Sequence, residues 1–561
     1  MKRFKILNLS LGWLCFVVAA VTYILTLEPT ASFWDCPEFI AQGTKLEVGH
    51  PPGNPIFMLA ARFFVNFAGG DASLAAYCVN TMSALLSAGT ILFLFWSITH
   101  LAKRLVVADD ATEISLPKTI AILGSGLCGA LVYTWSDTFW FSAVEGEVYA
   151  FSSFCTALVF WLILRWEDRA DAPHSDKYLI FIAYIIGISI AVHLLNLLCI
   201  PAIALVIYYR KTKESTAKGS LITLGASCVV IGLILYGLVP GFIEMAQYFE
   251  LFCVNTLSMS YNIGVLIYAV LLIAALIWSI YELYVQRSGK LIRISALVAV
   301  FLSGVTFIGD SILIPVVLTI ALGAWLFFSK KVSYRLLSIA VTSILVIFIG
   351  YSSYALILVR SAANPTMNQN APDNVFSLAS YLNREQYGEN PLFYGRQFTS
   401  TPVYVVDDQG NASVQITKGK NLYAKAVKSS PEDKDKYIVT GQKETYTWTP
   451  NVLFPRMYSR AGSHPQGYLD WIGATQADME TVTIYPYVNE DGSPVEMYGQ
   501  KYSVEIKKPT TAQNLEYFIN YQFNHMYMRY FMWNFAGRQN DLQGNGEVNR
   551  GNRGRGDGWT R

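Results

Sequence analysis

Long apolar segments follow one another from the N-terminus to about Arg360, and they constrain the fold more than any other feature of this sequence. A helix needs about 20 mostly apolar residues to cross the ~30 Å hydrocarbon core of a bilayer. Eleven segments reach or approach that length: 6–27, 73–100, 117–135, 148–165, 177–192, 194–209, 219–239, 262–284, 292–308, 311–329 and 336–359. The sequence therefore predicts an all-α polytopic membrane protein with about eleven transmembrane helices.

Composition supports this fold class. Hydrophobic residues make up 53% of the 561 residues and charged residues 15%, against about 45–50% and about 25% in soluble proteins. The 42 Lys and Arg residues and the 40 Asp and Glu residues leave a formal charge of +2, which is too small for a protein that binds nucleic acid. We therefore expect the lipid bilayer, and no nucleic acid, among its partners.

The distribution of Lys and Arg predicts how the helices cross the membrane. With the basic N-terminus in the cytoplasm, the inner segments carry nineteen Lys and Arg residues and the outer loops only Lys45 and Arg62. This asymmetry follows the positive-inside rule, and an odd number of spans places the C-terminus outside. One long helix over 177–209 is the alternative, and it would reverse everything that follows it.

The chain after residue 360 differs in character from the part before it. It has no apolar run long enough to cross a bilayer, and it is rich in Pro, Asn, Asp, Lys and Tyr. We predict a transmembrane domain over 1–360, a small mixed α/β extracytoplasmic region over 361–541, and a Gly/Arg-rich disordered end over 542–561. Within the tail, strands are expected at 401–406, 413–417 and 481–487 and an aromatic amphipathic helix at 515–535.

The first outer loop carries two acids in a helix-start pattern. Pro37 suits the first turn of a short helix, which places Asp35 at or near the N-cap and Glu38 in the first turn. The two carboxylates are thus expected close together at the membrane surface. A capped interfacial helix with no chemical role is the alternative interpretation.

Further polar residues fall on the same predicted side. Asp137, Glu145 and Glu147 occupy the second outer loop, and His193 and Asn196 lie at a later outer turn. Ionisable groups near the bilayer are costly and usually face a cavity, although interfacial solvation or helix packing would also explain each of them singly. Together they fit the handling of a neutral polar group such as a sugar, or a metal or proton site.

Several motifs resemble one known family. The chain is similar to the multi-pass membrane proteins called domain of unknown function 2723, common in Bacteroidetes, whose animal relatives include a protein O-mannosyltransferase acting on plexin-type receptors. The motifs are Phe33-Trp-Asp-Cys-Pro-Glu-Phe-Ile, Gly49-His-Pro-Pro-Gly-Asn-Pro, Ala143-Val-Glu-Gly-Glu-Val-Tyr-Ala, Val192-His-Leu-Leu-Asn-Leu-Leu, Ser380-Tyr-Leu-Asn-Arg-Glu-Gln-Tyr-Gly and Trp533-Asn-Phe-Ala-Gly-Arg-Gln-Asn-Asp.

This resemblance implies a type-C glycosyltransferase fold in a bacterial inner membrane. Such enzymes take a sugar, here expected to be a hexose such as mannose, from a polyprenyl-phosphate carrier on the outer face. The acceptor expected is Ser or Thr of an exported protein, or a glycan. The family's acidic motif matches Asp35 and Glu38 as catalytic residues, and His50, Glu145 and Glu147 match substrate-binding positions. Longer members continue past the last motif, so the resemblance also suggests that this chain is C-terminally truncated.

Inverting transfer needs a base for the acceptor hydroxyl and a cation for the departing phosphate. We assign Asp35 as the base, with Glu38 orienting the sugar or the acceptor, and His193 and Asn196 as further substrate-binding residues. Arg suits phosphate oxygens best, and the candidate cations are Lys45, His50, Arg62 and Arg384. The sequence shows no nucleotide-binding pattern and predicts no definite cofactor, while a divalent metal stays open.

A transporter or flippase for lipid-linked glycans is the rival function, because it would use the same outer acids. Transporters usually show internal repeats with broken helices at matched positions in two halves. No such halves are visible in this sequence, which favours the glycosyltransferase.

Overall fold

The computed structural model describes residues 2–108, 111–309, 313–329, 332–388 and 390–535. Three predicted features lie outside the described residues: Asp310, which falls in the outer loop between the predicted spans 292–308 and 311–329, the end of the last motif, and the Gly/Arg-rich end. The chain divides into two compact units. The helical unit contains residues up to 386 together with 424–438, and the tail unit contains 387–423 and the described residues from 439 onward. The predicted boundary after residue 360 falls inside the helical unit.

The first half of the helical unit alternates long helices with short ones that carry the loops. Its helices are α1 Lys2–Leu25, α2 Cys36–Lys45, α3 Pro55–Val65, α4 Ala75–Val106, α5 Leu116–Thr134, α6 Asp137–Ala143, α7 Val148–Glu167, α8 Asp176–Ile190 and α9 Ile200–Lys211. A 3-10 segment, Leu194–Cys199, precedes α9. The chain breaks at 191–193, between α8 and this 3-10 segment. The range 177–209 is therefore not one long helix, as the prediction of separate spans at 177–192 and 194–209 requires.

The second half of the helical unit begins with an unusually long helical stretch. Its helices are α10 Ala217–Leu233, α11 Val239–Leu251, α12 Ile263–Val285, α13 Gly289–Leu302, α14 Leu313–Phe328, α15 Tyr334–Tyr351, α16 Ala355–Ala362 and α17 Val375–Leu382. The π-helical turn Ile234–Leu238 joins α10 to α11, and a second π-helical turn, Phe252–Thr256, extends α11, so that one element runs from 217 to 256.

This long element corrects one sequence prediction. The predicted spans 219–239 and 262–284 place Glu244, Glu250 and Asn255 in the outer loop between them, but these residues lie within the continuous helical element. Pro240 at the start of α11 would normally disrupt a helix because it lacks an N–H donor. The π-helical turn just before it shifts the hydrogen-bonding register, so the helix continues through the proline.

Eight helical segments among the described residues are long and apolar enough to cross a bilayer. Each of the eleven predicted spans contains a helix, but α8, α13 and α14 are shorter, with 15, 14 and 16 residues. The predominantly helical fold with many apolar spans is therefore confirmed, and the count of eleven transmembrane helices stays a prediction.

The tail unit is built from short strands with a few helices, as the sequence indicated. From residue 394 the strands are β1 Tyr394–Pro402, β2 Tyr404–Val406, β3 Ala412–Val414, β4 Ile416–Lys425, β5 Tyr437–Tyr446, β6 Trp448–Leu453, β7 Glu480–Ile484, β8 Tyr487–Asn489, β9 Glu496–Met497, β10 Gln500–Lys501 and β11 Val504–Lys508. The described sheets are small: β1 pairs with β6, β4 with β5, β7 with β11 and β9 with β10, and β3, β2 and β8 form three strands in that order.

The tail helices pack on a core of aromatic and sulfur-containing side chains. They are α18 His464–Ile472, α19 Thr511–Tyr517 and α20 Arg529–Met532, with a π-helical stretch Phe518–Met528 between the last two. The buried core consists of Phe398, Met457, Tyr468, Leu469, Met479 and Tyr517. The predicted aromatic helix at 515–535 is thus present.

Candidate active site

The short helix α2 has the start that its sequence predicted. Asp35 occupies the N-cap position, Pro37 lies in the first turn, and Glu38 is the acid of that turn. The side chain of Asp35 makes no capping hydrogen bond and is 59% exposed. The carboxylate of Asp35 is therefore not used to cap the helix, and it stays accessible to another group.

Glu38 holds His50, which approaches from the other end of the same loop. One oxygen of Glu38 accepts hydrogen bonds from the backbone N–H of His50 at 2.6 Å, from its Nδ1 at 2.9 Å and from Gln42 Nε2 at 3.0 Å. The other oxygen accepts from Gln369 Nε2 at 3.3 Å. Hydrogen bonding with Glu38 raises the pKa of His50. Burial acts to raise the pKa of Glu38, but the bonds from His50 and Gln42 outweigh it and lower this pKa. Both shifts favour the ion-paired form of Glu38 and His50, whose Nδ1 and carboxylate oxygen lie 2.9 Å apart.

The ring of His50 is directed toward Asp35. Its Nε2 lies 3.9 Å from a carboxylate oxygen of Asp35, while Nδ1 stays on Glu38. The ring also lies against Phe39, with 5.6 Å between the ring centroids. His50 thus stands between the two acids of α2, bonded to one and facing the other.

Backbone contacts fix the loop that carries His50. A side chain at Gly49 would overlap Gln42 and Glu38, so a glycine is needed where the loop approaches α2. The hydroxyl of Tyr381 in α17 donates to the carbonyl of Gly49 at 2.7 Å. Val48 pairs with Asn368 in a short parallel bridge. The chain just after α16 therefore shapes the first loop.

The second loop lies against the first. The backbone N–H of Glu28 donates to the carbonyl of Val144 at 3.2 Å. Glu145 and Glu147 follow Val144, and each is 5% exposed. One oxygen of Glu145 has no hydrogen-bond partner among the described residues, and Glu147 accepts from the backbone N–H of Val148 at the start of α7.

Burial disfavours the charged form of both acids in this loop. It raises the pKa of Glu145, and it raises the pKa of Glu147 to about 8, with a further contribution from the negative charges of Glu145 and Asp35. Glu147 is therefore largely protonated near neutral pH and can donate a hydrogen bond. The same interactions show that the acids of the two loops lie within electrostatic range of each other.

His193 and Arg384 belong to the same neighbourhood. His193 precedes the 3-10 segment and accepts from the backbone N–H of Leu195 at 3.1 Å, and its ring lies 5.5 Å from that of Tyr149. Burial lowers the pKa of His193, and the charge of Arg384 lowers it further. The charge of Arg384 also lowers the pKa of His50, so Arg384 lies within electrostatic range of both histidines.

Three predicted residues take other positions or have no partner. Asn196 is 1% exposed, and neither of its amide atoms has a hydrogen-bond partner within the described part of the chain. Lys45 is the last residue of α2, and Arg62 donates to the carbonyl of Thr44 at 2.6 Å. A helix of 10 residues is about 15 Å long, so these two cations lie at the end of α2 opposite to Asp35.

The arrangement combines a proton acceptor with cations. Asp35 offers an exposed carboxylate, the ring of His50 lies 3.9 Å from it, and Arg384 lies within electrostatic range of His50. Glu147 adds a neutral acid. Such a set can accept a proton from a hydroxyl and stabilise a nearby anion. Among the described residues no group of three or more His, Cys, Asp or Glu side chains could hold a metal ion.

Sequence reasoning missed the residues that hold Glu38 and His50. Gln42 is 2% exposed and lies four residues after Glu38, a spacing that brings side chains together on a helix, so its role was readable from the sequence. Gln369 and Tyr381 lie more than 300 residues from their partners. No local signal connects them with the first loop.

The fold and the site define a predominantly helical, multi-span membrane protein with an acid–histidine site in its loops. The model of the family described as "Protein O-mannosyl-transferase TMEM260 N-terminal domain" matches residues 35–216. This segment contains seven of the eight predicted site residues, all but Arg384. A family of unknown function, DUF8416, matches residues 388–519, a range that includes the stretch 424–438 of the helical unit and much of the tail unit.

Two curated relatives carry the same name as the first family. The chain is 26% identical over 226 residues to "Protein O-mannosyl-transferase TMEM260" of Mus musculus, covering 40% of this chain and 29% of the relative. It is 23% identical over 194 residues to "Protein O-mannosyl-transferase tmem260" of Dictyostelium discoideum, covering 33% of this chain and 21% of the relative. The match spans less than a third of either relative's length, and it supports a glycosyltransferase-like membrane family. The assignment to domain of unknown function 2723 and the truncation stay predictions.

Proposed function

We propose that the protein is a membrane glycosyltransferase that moves a hexose such as mannose from a polyprenyl-phosphate carrier to a Ser or Thr hydroxyl of a protein. The sugar class and the protein acceptor are suggested by the names of the relatives. The observation that carries the proposal is the carboxylate of Asp35, which is exposed, makes no capping bond and lies beside a histidine held in an ion pair.

The proposed reaction is a single displacement at the anomeric carbon. The acceptor hydroxyl oxygen attacks C1 of the sugar while the bond between C1 and the phosphate oxygen breaks. The hydroxyl proton passes to Asp35, and the polyprenyl phosphate leaves with the bonding electron pair. Attack from the face opposite the phosphate inverts the configuration at C1.

His50 and Arg384 are the proposed partners of the departing phosphate. Both face the same region, since the charge of Arg384 acts on His50 and on His193. Positive groups placed where negative charge develops are a large source of rate enhancement. Glu38 is better suited to positioning than to substrate contact, because its oxygens already accept four hydrogen bonds. Its proposed role is to hold the imidazolium of His50.

Glu145, Glu147, His193 and Asn196 are proposed to bind the sugar or the acceptor. Glu147 in its neutral form donates a hydrogen bond to a sugar hydroxyl. The unpaired amide of Asn196 and the unpaired oxygen of Glu145 offer further polar atoms, and a buried polar atom without a partner is costly unless something else bonds it.

The test is sugar transfer by the purified full chain in lipid, with a polyprenyl-phosphate hexose as donor and a Ser/Thr peptide as acceptor. Asp35→Asn keeps the shape of the side chain but removes the base. We expect transfer to fall by at least ~10²-fold, the lower end of what a general base contributes. Binding of the donor should stay near that of the wild type.

Asp137→Asn is the matched control, because Asp137 is an exposed acid of the second loop at the start of α6. It should leave transfer unchanged. Full activity of Asp35→Asn would mean that Asp35 is not the base and that Glu145 or Glu147 is the next candidate. If variants of all three acids transfer sugar normally, the enzyme assignment is wrong and the protein is better treated as a transporter of lipid-linked glycans.

A further inference from the structure

The stretch 424–438 is far from His50 in the sequence, but a series of contacts connects the two. The series starts at Tyr437. This tyrosine is 2% exposed and belongs to the stretch 424–438 of the helical unit. Its backbone N–H donates to Asn255 Oδ1 at 2.8 Å and its carbonyl accepts from Asn255 Nδ2 at 2.9 Å. Its hydroxyl donates to the buried carboxylate of Glu250 at 3.2 Å. Tyr437 is therefore fixed on the long helical element.

From this position Tyr437 contacts the first turn of α17. Its ring meets the ring of Phe376 edge to face, with 4.8 Å between the centroids. Lys425 of the same stretch pairs with Asp373 at 2.8 Å, and Asp373 accepts from Asn374, the N-cap residue of α17, at 2.8 Å. The beginning of α17 is thus held at two points by residues 424–438.

The other end of α17 contacts the first loop, which carries Gly49 and His50. The hydroxyl of Tyr381 lies 2.7 Å from the carbonyl of Gly49 and 3.2 Å from that of His50. Arg384 follows two residues after the helix. Because α17 has 8 residues and is about 12 Å long, a displacement of its first turn moves its last turn as well.

We propose that Tyr437 is a positioning residue for the site, which acts through Phe376 and α17 to hold Tyr381 against the carbonyls of Gly49 and His50. The side chain of Tyr437 contacts neither Asp35 nor His50, so its effect on them is transmitted by the helix. The proposal rests on the proposed function only where sugar transfer is measured. The geometry of His50 can be tested without any activity.

The experiment measures the reaction of His50 with diethyl pyrocarbonate in the full chain, reconstituted in lipid nanodiscs at pH 7 and read out by peptide mass spectrometry. The reagent attacks neutral imidazole, and the ion pair with Glu38 protects His50. Tyr437→Ala removes the ring contact and the hydroxyl, and we expect the rate at His50 to rise about threefold to tenfold, as for other mutations along packed networks. The rates at His174 and His464 should stay constant.

Two further variants separate the contributions. Tyr437→Phe keeps the ring on Phe376, so it should change the rate at His50 by less than Tyr437→Ala does. Tyr446→Phe, in the same strand but 51% exposed, is the matched control and should change nothing. Phe376→Leu keeps an apolar side chain in α17 and should reproduce most of the increase, which keeps the test informative if Tyr437→Ala folds poorly.

An unchanged rate at His50 in both Tyr437→Ala and Phe376→Leu would overturn the proposal. So would an equal increase at His174 and His464, because it would mean that Tyr437 serves general folding. Transfer is then measured separately: a lower turnover number with an unchanged KM supports positioning. A selective increase at His50 with unchanged transfer would support the link through α17 and count against the proposed role of His50 in catalysis.

Discussion

Glu38 is the residue on which the geometry of His50 depends most. Its carboxylate accepts from both the backbone and the ring of this histidine and from two glutamine amides. Four donors on one carboxylate favour its ionised form, and hydrogen bonding with this carboxylate in turn raises the pKa of His50. The charge state of His50 is therefore set by a neighbour rather than by its own exposure.

This dependence predicts a change in the pH profile. In Glu38→Gln the main cause of the raised pKa of His50 is gone, so His50 loses its proton at lower pH. If protonated His50 stabilises the departing phosphate, kcat/KM should decline at lower pH than in the wild type, and transfer at pH 7 should fall by about tenfold, less than for Asp35→Asn. Glu113→Gln, an exposed acid in a different loop, should keep the wild-type profile. An alkaline limb that does not move would exclude this role for His50.

Glu147 gives a prediction for stability. Its pKa is about 8 in the folded state because of burial and the nearby acids, and an unfolded glutamate ionises near pH 4.3. Between these values the folded state binds more protons, so stability decreases as the pH rises through this window.

Glutamine resembles the protonated form of Glu147 and does not titrate. Glu147→Gln should match the wild type at pH 5 and exceed it at pH 8.5 by on the order of 1–3 kcal/mol. Thermal melting in detergent at a fixed scan rate measures the difference. For Asp137→Asn, the difference in stability from the wild type should be the same at both pH values. Equal melting temperatures of Glu147→Gln and wild type at both pH values would contradict the prediction.

At the level of elements, the contact between α8 and α15 determines where His193 lies. The helices cross at Gly187 and Gly350, where each glycine meets the backbone of the other helix; a Cβ on Gly187 would lie 2.6 Å from the carbonyl oxygen of Ile347. Small residues allow such close helix packing. The end of α8 leads directly into the break that carries His193, and Tyr354 hydrogen-bonds to the carbonyl of Ile190 at this end.

Alanine at either glycine should therefore destabilise the helical unit. The added methyl group meets backbone atoms, which yield less than side chains, so we expect a loss of about 1–3 kcal/mol for Gly187→Ala and for Gly350→Ala. Gly124→Ala is the control, since a methyl group there has no neighbour within 4 Å. The measurement is the melting midpoint of each purified variant. Unchanged midpoints for both Gly187→Ala and Gly350→Ala would mean that α8 and α15 are less tightly packed than described.

For the molecule as a whole, two helices connect the acid–histidine site with a cluster of ion pairs. Near the C-terminal end of α4, His100 lies 3.2 Å from Glu167, and Arg104 lies 3.4 Å from the same carboxylate. Glu167 ends α7, whose first turn adjoins Glu147. The 20 residues of α7 span about 30 Å, the thickness of a bilayer core. The helix is therefore long enough to place the acid–histidine site and the ion-pair cluster on opposite sides of a bilayer. The orientation with the basic ends in the cytoplasm stays a prediction.

Reporter fusions test that orientation. A reporter that works only outside the cytoplasm should be active when fused after Gln386 and inactive when fused after Lys213. An additional fusion after Glu145 should be active. The opposite pattern at both Lys213 and Gln386, with the Glu145 fusion still active, would favour one membrane crossing over 177–209. The opposite pattern at all three positions would reverse the orientation.

Local sequence determined the elements and the start of α2. Apolar runs predicted helices because a long apolar segment can satisfy its backbone in a bilayer only as a helix or a closed barrel. Pro37 and Asp35 predicted the start of α2 because proline and the N-cap residue act within one turn. The neighbourhood of Asp35 and Glu38 followed from this turn and needed no tertiary contact.

Tertiary structure alone decided which distant groups complete the site. Tyr381 and Gln369 reach the first loop across more than 300 residues. Arg384, just after α17, comes within electrostatic range of His50. The sequence also could not predict the continuous helix through Pro240, because a proline usually marks a helix boundary. The helix continues because the π-helical turn before Pro240 shifts the hydrogen-bonding register. Hydrogen bonds and packing between distant segments depend on geometry that no local spacing encodes, so the acids were visible in the sequence and the residues that orient them were not.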